Sequence, residues 1–163
     1  CEQVPYVPGG LPQERGAGRP NVTARRHTGI VVRDLNKSVD FYEGLGFCLW
    51  KRDVEEGAFI DNIVGLKGVC VETAKLKSPC GALLELLQYH SHKVNQKIEC
   101  QPSNKLGCSH IAVTVKCIKS ALDFIKNMGG SIVNPPLLAP NGLVKVAYCH
   151  DNEGVLLELV EEV

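Results

Sequence analysis

Two leucine-rich stretches of the chain each carry one glutamate among residues that favour burial. Glu85 lies within GALLELLQ, and Glu158 lies within GVLLELVE. A buried carboxylate is costly unless a hydrogen-bonding partner, an opposite charge or a metal ion compensates it. Because the same residue recurs at the same place in both stretches, we expect the two glutamates to serve one chemical purpose.

Two histidines recur in step with these glutamates. HTGIVVRDLNKSVDFYEGLG starts at His27, and HIAVTVKCIKSALDFIKNMG starts at His110, an offset of 83 residues. Glu85 follows His27 by 58 residues and Glu158 follows His110 by 48, so the first copy contains about ten additional residues. Such self-similarity predicts two copies of one supersecondary unit.

The four repeated side chains suit a divalent metal ion. Imidazole and carboxylate groups bind first-row transition ions, and four of them leave room for water or substrate. Taken singly, a histidine at a strand start usually makes a structural hydrogen bond, and a glutamate in a leucine run could face solvent. Their recurrence favours the metal. We therefore predict one site with four ligands: His27, Glu85, His110 and Glu158.

Each copy has the pattern of a strand, a helix and three further strands. β-prone runs at 29–32 and 111–115 precede apolar residues at helical spacing, and the helices are expected to end at Gly46 and Gly129. Further β-prone segments follow at 47–51, 69–73, 82–88, 131–133, 143–149 and 155–160. The predicted fold class is α+β, with two paired βαβββ modules forming a curved, half-barrel-like mixed sheet around the metal.

The repeat also predicts the organisation of the chain. Residues 1–26 contain four prolines and four glycines with few aliphatic residues, which predicts a flexible tail. The first module is expected over 27–90, a linker over 91–107 and the second module over 108–163, with 25–163 forming one domain. Residues 56–66 suit a short helix or a lid, and the prolines at 135, 136 and 140 predict a loop.

Charge and hydropathy exclude several classes of partner. Eighteen basic and eighteen acidic residues give a formal net charge of zero, so neither nucleic acid nor an anionic membrane is indicated. No apolar run approaches the ~20 residues that a membrane-spanning helix needs. We predict a cytoplasmic protein with a small-molecule substrate, and removal of an organelle-targeting segment before Cys1 is left open.

The cysteines do not have the pattern of a disulfide or zinc scaffold. There are eight, none of them in a C-x-x-C arrangement. Most stand in apolar runs, and free cysteine is among the most buried residue types. We therefore predict reduced, buried cysteines.

Several stretches resemble the vicinal oxygen chelate superfamily: HTGIVVRDLNKSVDFYEGLGF, LLELLQY, GCSHIAVTV and HDNEGVLLELVEE. This group includes glyoxalase I, methylmalonyl-CoA epimerase, extradiol dioxygenases, fosfomycin-resistance transferases and bleomycin-resistance proteins, and the resemblance covers about residues 25–161. It implies the paired βαβββ fold and a homodimer, with modules paired within one chain or across two. It also places the predicted ligands on the four metal-ligand positions of glyoxalase I.

The chain departs from individual members of this superfamily. Glyoxalase I usually has an arginine and an asparagine that hold glutathione where Val31 and Tyr89 stand here, which argues against a glutathione substrate. The epimerase usually has glutamine at the position of Glu85. The dioxygenases use three ligands and the bleomycin-resistance relatives bind without metal, so the complete four-residue set argues against both.

The resemblance and the ligand set together predict a metal-dependent, glyoxalase-like lyase or isomerase. It would act on a small carbonyl compound by proton abstraction, with one divalent ion stabilising an enediolate. Glu158 is the preferred base and Glu85 the second choice. The ion could be nickel, cobalt, zinc, manganese or iron. The alternatives are a non-haem iron dioxygenase, a thiol-transferring resistance enzyme and a metal-free small-molecule-binding protein of the same fold.

Six further residues are candidates for contact with the substrate. They combine apolar, aromatic and hydroxyl side chains that could line a pocket, although aromatic residues in β-rich segments more often belong to a core. These candidates are Val31, Trp50, Phe59, Tyr89, Thr114 and Tyr148.

Overall fold

A computed structural model describes residues 22–93 and 99–163. The first half contains β1 (Thr28–Val31), α1 (Leu35–Gly44), β2 (Cys48–Glu56), α2 (Ala58–Val64), β3 (Cys70–Lys77) and β4 (Leu83–Tyr89). The second half contains β5 (Ile111–Thr114), α3 (Ile118–Asn127), β6 (Ser131–Ile132), β7 (Leu137–Leu138), β8 (Val144–His150) and β9 (Leu156–Glu162). The α+β fold class is confirmed.

Parts of the predicted tail and linker, 1–21 and 94–98, lie outside the described residues. Residues 22–26 contain neither helix nor strand. None of the helices in the two described ranges has the length and apolar content needed to cross a membrane.

Each half of the chain forms its own sheet. The strand orders are β1-β4-β3-β2 and β5-β9-β8-β6, and β7 also pairs with β8. β1 is parallel to β4 and β5 is parallel to β9, whereas the other pairs are antiparallel. Within the described ranges the two sheets are separate, so β1 and β5 each pair along one edge only. Those edges can accept a strand from another module.

One hydrophobic core joins the two halves. α1 buries Leu35, Val39 and Tyr42, and α3 buries Ile118, Leu122 and Ile125, as their helical spacing predicts. The core continues onto one face of each sheet through Ala74, Leu76, Leu84, Leu86, Ala147, Cys149, Leu157 and Leu159. Gly46 and Gly129, just beyond the helix ends, have φ values of 99° and 90°, which glycine adopts without strain.

The start of each long helix is fixed to the strand that carries the repeated glutamate. The Leu35 amide donates to Oε1 of Gln88 at 2.8 Å, and the Ile118 amide donates to Oε2 of Glu161 at 2.6 Å. Gln88 and Glu161 each stand three residues after the repeated glutamate of their module. These bonds satisfy amides that a helix leaves without partners. The Ile118 amide and then Lys145 lower the pKa of Glu161.

A buried hydrogen bond also connects the two halves. The Tyr42 hydroxyl donates to Oδ2 of Asp151 at 2.7 Å. Oδ1 of Asp151 accepts the amides of Glu153 and Val155 at 2.9 and 2.8 Å. Burial removes water from the Asp151 carboxyl and raises its pKa, and burial also raises the pKa of Tyr42 well above its usual value.

We expect Tyr42→Phe to lower the free energy of unfolding by about 1–3 kcal/mol, because Oδ2 of Asp151 loses its donor. The native state already holds the Asp151 proton more tightly than the unfolded state does. Because the Tyr42 hydroxyl stabilises the ionised carboxylate more than the neutral acid, the loss should be smallest at pH values below the raised native pKa of Asp151 and grow as the pH rises through it. Urea titrations at several pH values measure it. An equal loss in Tyr89→Phe, which removes a hydroxyl from a half-buried ring outside this network, would contradict the assignment.

Two sequence expectations are corrected. All seven cysteines in the described ranges are free, but Cys149 alone among them is buried. Cys70 at the start of β3 is half-buried, and the other five lie exposed in loops and turns or at or next to the start of an element. Burial raises the pKa of the Cys149 thiol to about 12. The prediction of a loop between the prolines is also wrong in part, because Leu137 and Leu138 form the short strand β7, which pairs with β8.

Candidate metal centre

The first histidine and glutamate of the repeat lie side by side. Nε2 of His27 is 3.0 Å from Oε2 of Glu85. The parallel register of β1 and β4 places Gly29 opposite Glu85, and His27 two residues earlier shares the face of Gly29. The Glu85 side chain is only 11% exposed, whereas that of His27 is 40% exposed. We call these two residues the first pair.

The second histidine and glutamate have the same relation. Nε2 of His110 is 2.9 Å from Oε2 of Glu158, and Ala112 stands opposite Glu158 in the register of β5 and β9. The ring of Tyr148, opposite Glu158 in β8, packs edge-on against His110 with centroids 5.2 Å apart. Burial and then the Glu158 charge raise the pKa of Tyr148. We call His110 and Glu158 the second pair.

Lys75 distinguishes the first pair from the second. Lys75 in β3 stands opposite Glu85, and its Nζ lies 3.2 Å from Oε1 of that carboxylate. Sequence reasoning missed this lysine, because Lys75 lies two residues beyond the predicted β-prone segment 69–73, whereas the observed β3 extends to Lys77. Its relation to Glu85 depends on the register of β3 and β4, which neither the repeat nor the spacing reveals.

Each pair has the geometry of two ligands of one transition ion. Donors about 2.1 Å from an ion and at right angles to each other are about 3.0 Å apart. The observed nitrogen–oxygen distances of 3.0 and 2.9 Å equal that separation, and they also suit a direct hydrogen bond. Imidazole nitrogen with carboxylate oxygen is a suitable donor set for the ions predicted from the sequence. The residues therefore fit a divalent metal.

The described part of one chain does not bring all four predicted ligands together. No group of three or more histidine, cysteine, aspartate or glutamate side chains in residues 22–93 and 99–163 is arranged to hold a metal. The physical reason is the direction of packing. In each module, one face of the sheet packs against the shared helical core. Side-chain alternation places the histidine–glutamate pair of that module on the other face of the same sheet. We call these the pair-bearing faces.

Five of the six candidate substrate contacts lie on these faces or beside them. Val31 shares the face of His27 and is 56% exposed, and Thr114 shares the face of His110 and is exposed. Tyr148 packs on His110, and Tyr89 lies four residues beyond Glu85 on the same face. Phe59 projects from α2. Trp50 is the exception, because it lies on β2, and β2 and β1 are the two opposite edge strands of the first sheet. Nζ of Lys77 lies 5.4 Å from the centroid of the Trp50 ring.

α2 covers one end of the first pair-bearing face, where the sequence predicts a short helix or a lid. Its buried Ile60 packs with Val69 and Val71, and with Leu87 and Tyr89 of the same cluster. Phe59 beside it is 76% exposed. α2 therefore forms an apolar wall beside Leu87 and Tyr89 at this end of the face.

Comparison with known proteins agrees with this architecture. Residues 25–159 match the model of the family described as Glyoxalase/Bleomycin resistance protein/Dioxygenase superfamily. A Synechocystis protein named probable lactoylglutathione lyase is 32% identical over 137 residues, covering 83% of this chain and 92% of that protein. A Neisseria meningitidis protein named lactoylglutathione lyase is 30% identical over 138 residues, covering 83% and 88%. The crystal structure of a glyoxalase family protein from Bacillus cereus aligns with a TM-score of 0.82 at 26% identity, covering 91% of this chain and 99% of that one.

Proposed function

Because the chain belongs to the Glyoxalase/Bleomycin resistance protein/Dioxygenase superfamily, we propose that it is a metal-dependent lyase or isomerase of the glyoxalase type. The observation that supports this most strongly is the duplicated histidine–glutamate pair, with separations of 3.0 and 2.9 Å at matching register positions. Four ligands from two pairs would hold one divalent ion. The substrate would be a small carbonyl compound, and the enzyme would be cytoplasmic.

The complete site would be shared between two copies of the chain. One copy would supply the first pair and a second copy the second pair, with the edges of β1 and β5 brought together. Two observations support this arrangement: the sheets within one described chain are separate, and both edge strands pair on one side only. A two-fold homodimer would contain two equivalent sites and leave neither edge open.

The chain's own residues would move the proton. A bound divalent ion would supply Lewis acidity toward a substrate carbonyl, which makes the neighbouring C–H easier to ionise. The Glu158 carboxylate, 23% exposed, would accept that proton and return it to the adjacent carbon or the opposite face. His110 would orient Glu158 through Oε2, and the edge-on Tyr148 ring would restrict rotation of the His110 imidazole.

The substrate we favour is a 2-oxoaldehyde joined to a thiol. The relatives named lactoylglutathione lyase support this reaction class. Val31 and Tyr89 would present apolar surface to the thiol portion, and α2 would extend that surface with Phe59. Because these contacts lack the charge that pairs with a glutathione carboxylate, we expect smaller or less charged thiols to be accepted as well.

Mixed dimers test whether the site exists and is shared. We expect wild-type dimers to bind one divalent ion per site and His27→Ala or His110→Ala homodimers to lose both, as measured by mass spectrometry of metal content. A heterodimer of His27→Ala with His110→Ala chains should regain one ion, because one of its two shared sites has all four ligands.

The reciprocal heterodimer is the control. A wild-type chain paired with a His27→Ala/His110→Ala chain carries the same two substitutions, yet neither shared site would be intact. Metal in this dimer but not in the first would show that each site lies within one chain. Wild-type protein that binds none of the candidate ions would refute the metal-dependent function.

A further inference from the structure

We propose that Lys75 is a positioning residue that holds Glu85 as the fixed metal ligand and leaves Glu158 as the glutamate able to move. This inference rests on the proposed function, because it assigns different tasks to two glutamates that occupy equivalent places in the repeat. The assignment depends on the cross-strand neighbour of each glutamate, which is a lysine in the first module and a tyrosine in the second.

Both carboxylate oxygens of Glu85 are occupied. Oε2 faces Nε2 of His27 at 3.0 Å, and Oε1 faces Nζ of Lys75 at 3.2 Å. Rotation of the carboxylate would break both contacts, and the 11% exposure of the side chain gives water little access to replace them. With Oε1 held by the ammonium, Oε2 is the oxygen that remains directed toward the His27 side, where the ion would be bound.

The neighbouring lysine on this face does not share the task of Lys75. Lys51 in β2 stands opposite Lys75, but its Nζ lies 2.7 Å from Oδ2 of Asp53. Lys51 is also more exposed, at 56% against 28% for Lys75. A matched lysine with a different carboxylate partner therefore lies beside the residue under test.

Among the described residues, the second pair has no cation equivalent to Lys75. Tyr148 occupies the position opposite Glu158, and its ring packs against His110. Among the ion pairs of the described residues, Glu158 makes one, through Oε2 to His110. Its side chain is 23% exposed, about twice the exposure of Glu85. Glu158 can therefore leave an ion without breaking a second charged contact, as a general base must.

This difference predicts unequal losses of metal affinity. Glu85→Gln would leave the Lys75 ammonium without its counter-charge and facing a divalent cation, whereas Glu158→Gln leaves the Lys75–Glu85 contact intact. Removing one member of a partly buried charge pair costs more than the pair contributes, because the remaining charge is not compensated. The additional loss of metal affinity in Glu85→Gln should disappear when Lys75 is also replaced.

The test is a thermodynamic cycle on cobalt(II) affinity, measured by absorption titration and calorimetry of the dimer without substrate. We expect Glu85→Gln to weaken binding at least about tenfold more than Glu158→Gln does. In a Lys75→Met background the two losses should agree within about threefold. Lys75→Arg should preserve the inequality, and so should Lys51→Met, which removes the same charge from the neighbouring strand.

The possible outcomes separate this inference from the proposed function. Equal losses in the presence of Lys75, or an inequality that persists in Lys75→Met, would overturn the role of Lys75 and leave the metal site in place. If wild-type protein bound none of the five candidate ions, cobalt, zinc, nickel, manganese and iron, the proposed function would fall and this inference with it. Thermal melting followed by circular dichroism checks that each variant is folded, and Lys75→Gln replaces Lys75→Met if the latter is not.

Discussion

Glu158→Gln is expected to lower kcat by about 10²–10⁴-fold, the usual contribution of a positioned general base. Glutamine preserves the shape of the side chain and one ligand oxygen, but it cannot accept the substrate proton. Metal affinity should fall far less than turnover, because His110 and the first pair are unchanged. Turnover is measured with cobalt-loaded dimer and methylglyoxal adducts of several thiols, and the metal content of the same samples is measured in parallel.

Glu162→Gln is the matched control for this prediction. Glu162 lies on the same strand and the same face, four residues beyond Glu158, at an exposed position. The substitution removes the same charge without touching either pair, so kcat should stay within about twofold of wild type. A loss of turnover that simply follows the loss of metal would indicate that Glu158 is a ligand and not the base.

Phe41→Ala is expected to lower the free energy of unfolding by about 3–5 kcal/mol. Phe41 is fully buried on α1. The centroid of its ring lies 5.2 Å from that of Tyr42 and 6.1 Å from that of Phe124 in the second module. The substitution would therefore leave a cavity where the two modules share their core. Urea denaturation measures the change, and the melting temperature should fall by about 10 °C for a domain of this size.

Phe59→Ala makes the same chemical change at a position that is 76% exposed. Because the Phe59 ring is already in solvent, its removal should alter stability by no more than about 0.5 kcal/mol. A comparable loss in both variants would show that the inter-module core is not where stability is concentrated. The two variants also separate roles, since Phe59 belongs to the proposed substrate wall and Phe41 does not.

Much of this architecture is determined by local sequence features. The repeat from His27 and His110 predicts two modules of one kind, and helical spacing predicts the faces of α1 and α3 that the structure buries. Such features are readable because strand alternation and helical periodicity depend on near neighbours in the chain. The two histidines and two glutamates are selected in the same way, since their recurrence needs no knowledge of distance.

The arrangement of the modules depends on contacts between distant residues, which periodicity does not encode. The helices pack the modules together through Phe41 and Phe124. Each histidine–glutamate pair lies on the sheet face that points away from this core, so the two pairs are not combined in the described part of one chain. The same limitation applies to Asp151, whose sequence context is a turn but whose carboxyl is buried against Tyr42.

Strand register determines the chemical difference between the two glutamates. The internal repeat makes Glu85 and Glu158 equivalent, and alternation alone assigns both to the same kind of face. Only the pairing of β3 with β4 brings Lys75 to Glu85, and only the pairing of β8 with β9 brings Tyr148 to Glu158. A shift of one residue would move either neighbour to the other face of its sheet. The sequence alone therefore predicts the types of the candidate ligands, and strand register, which only the tertiary structure decides, is the basis of our proposal that Glu85 is held and Glu158 is able to move.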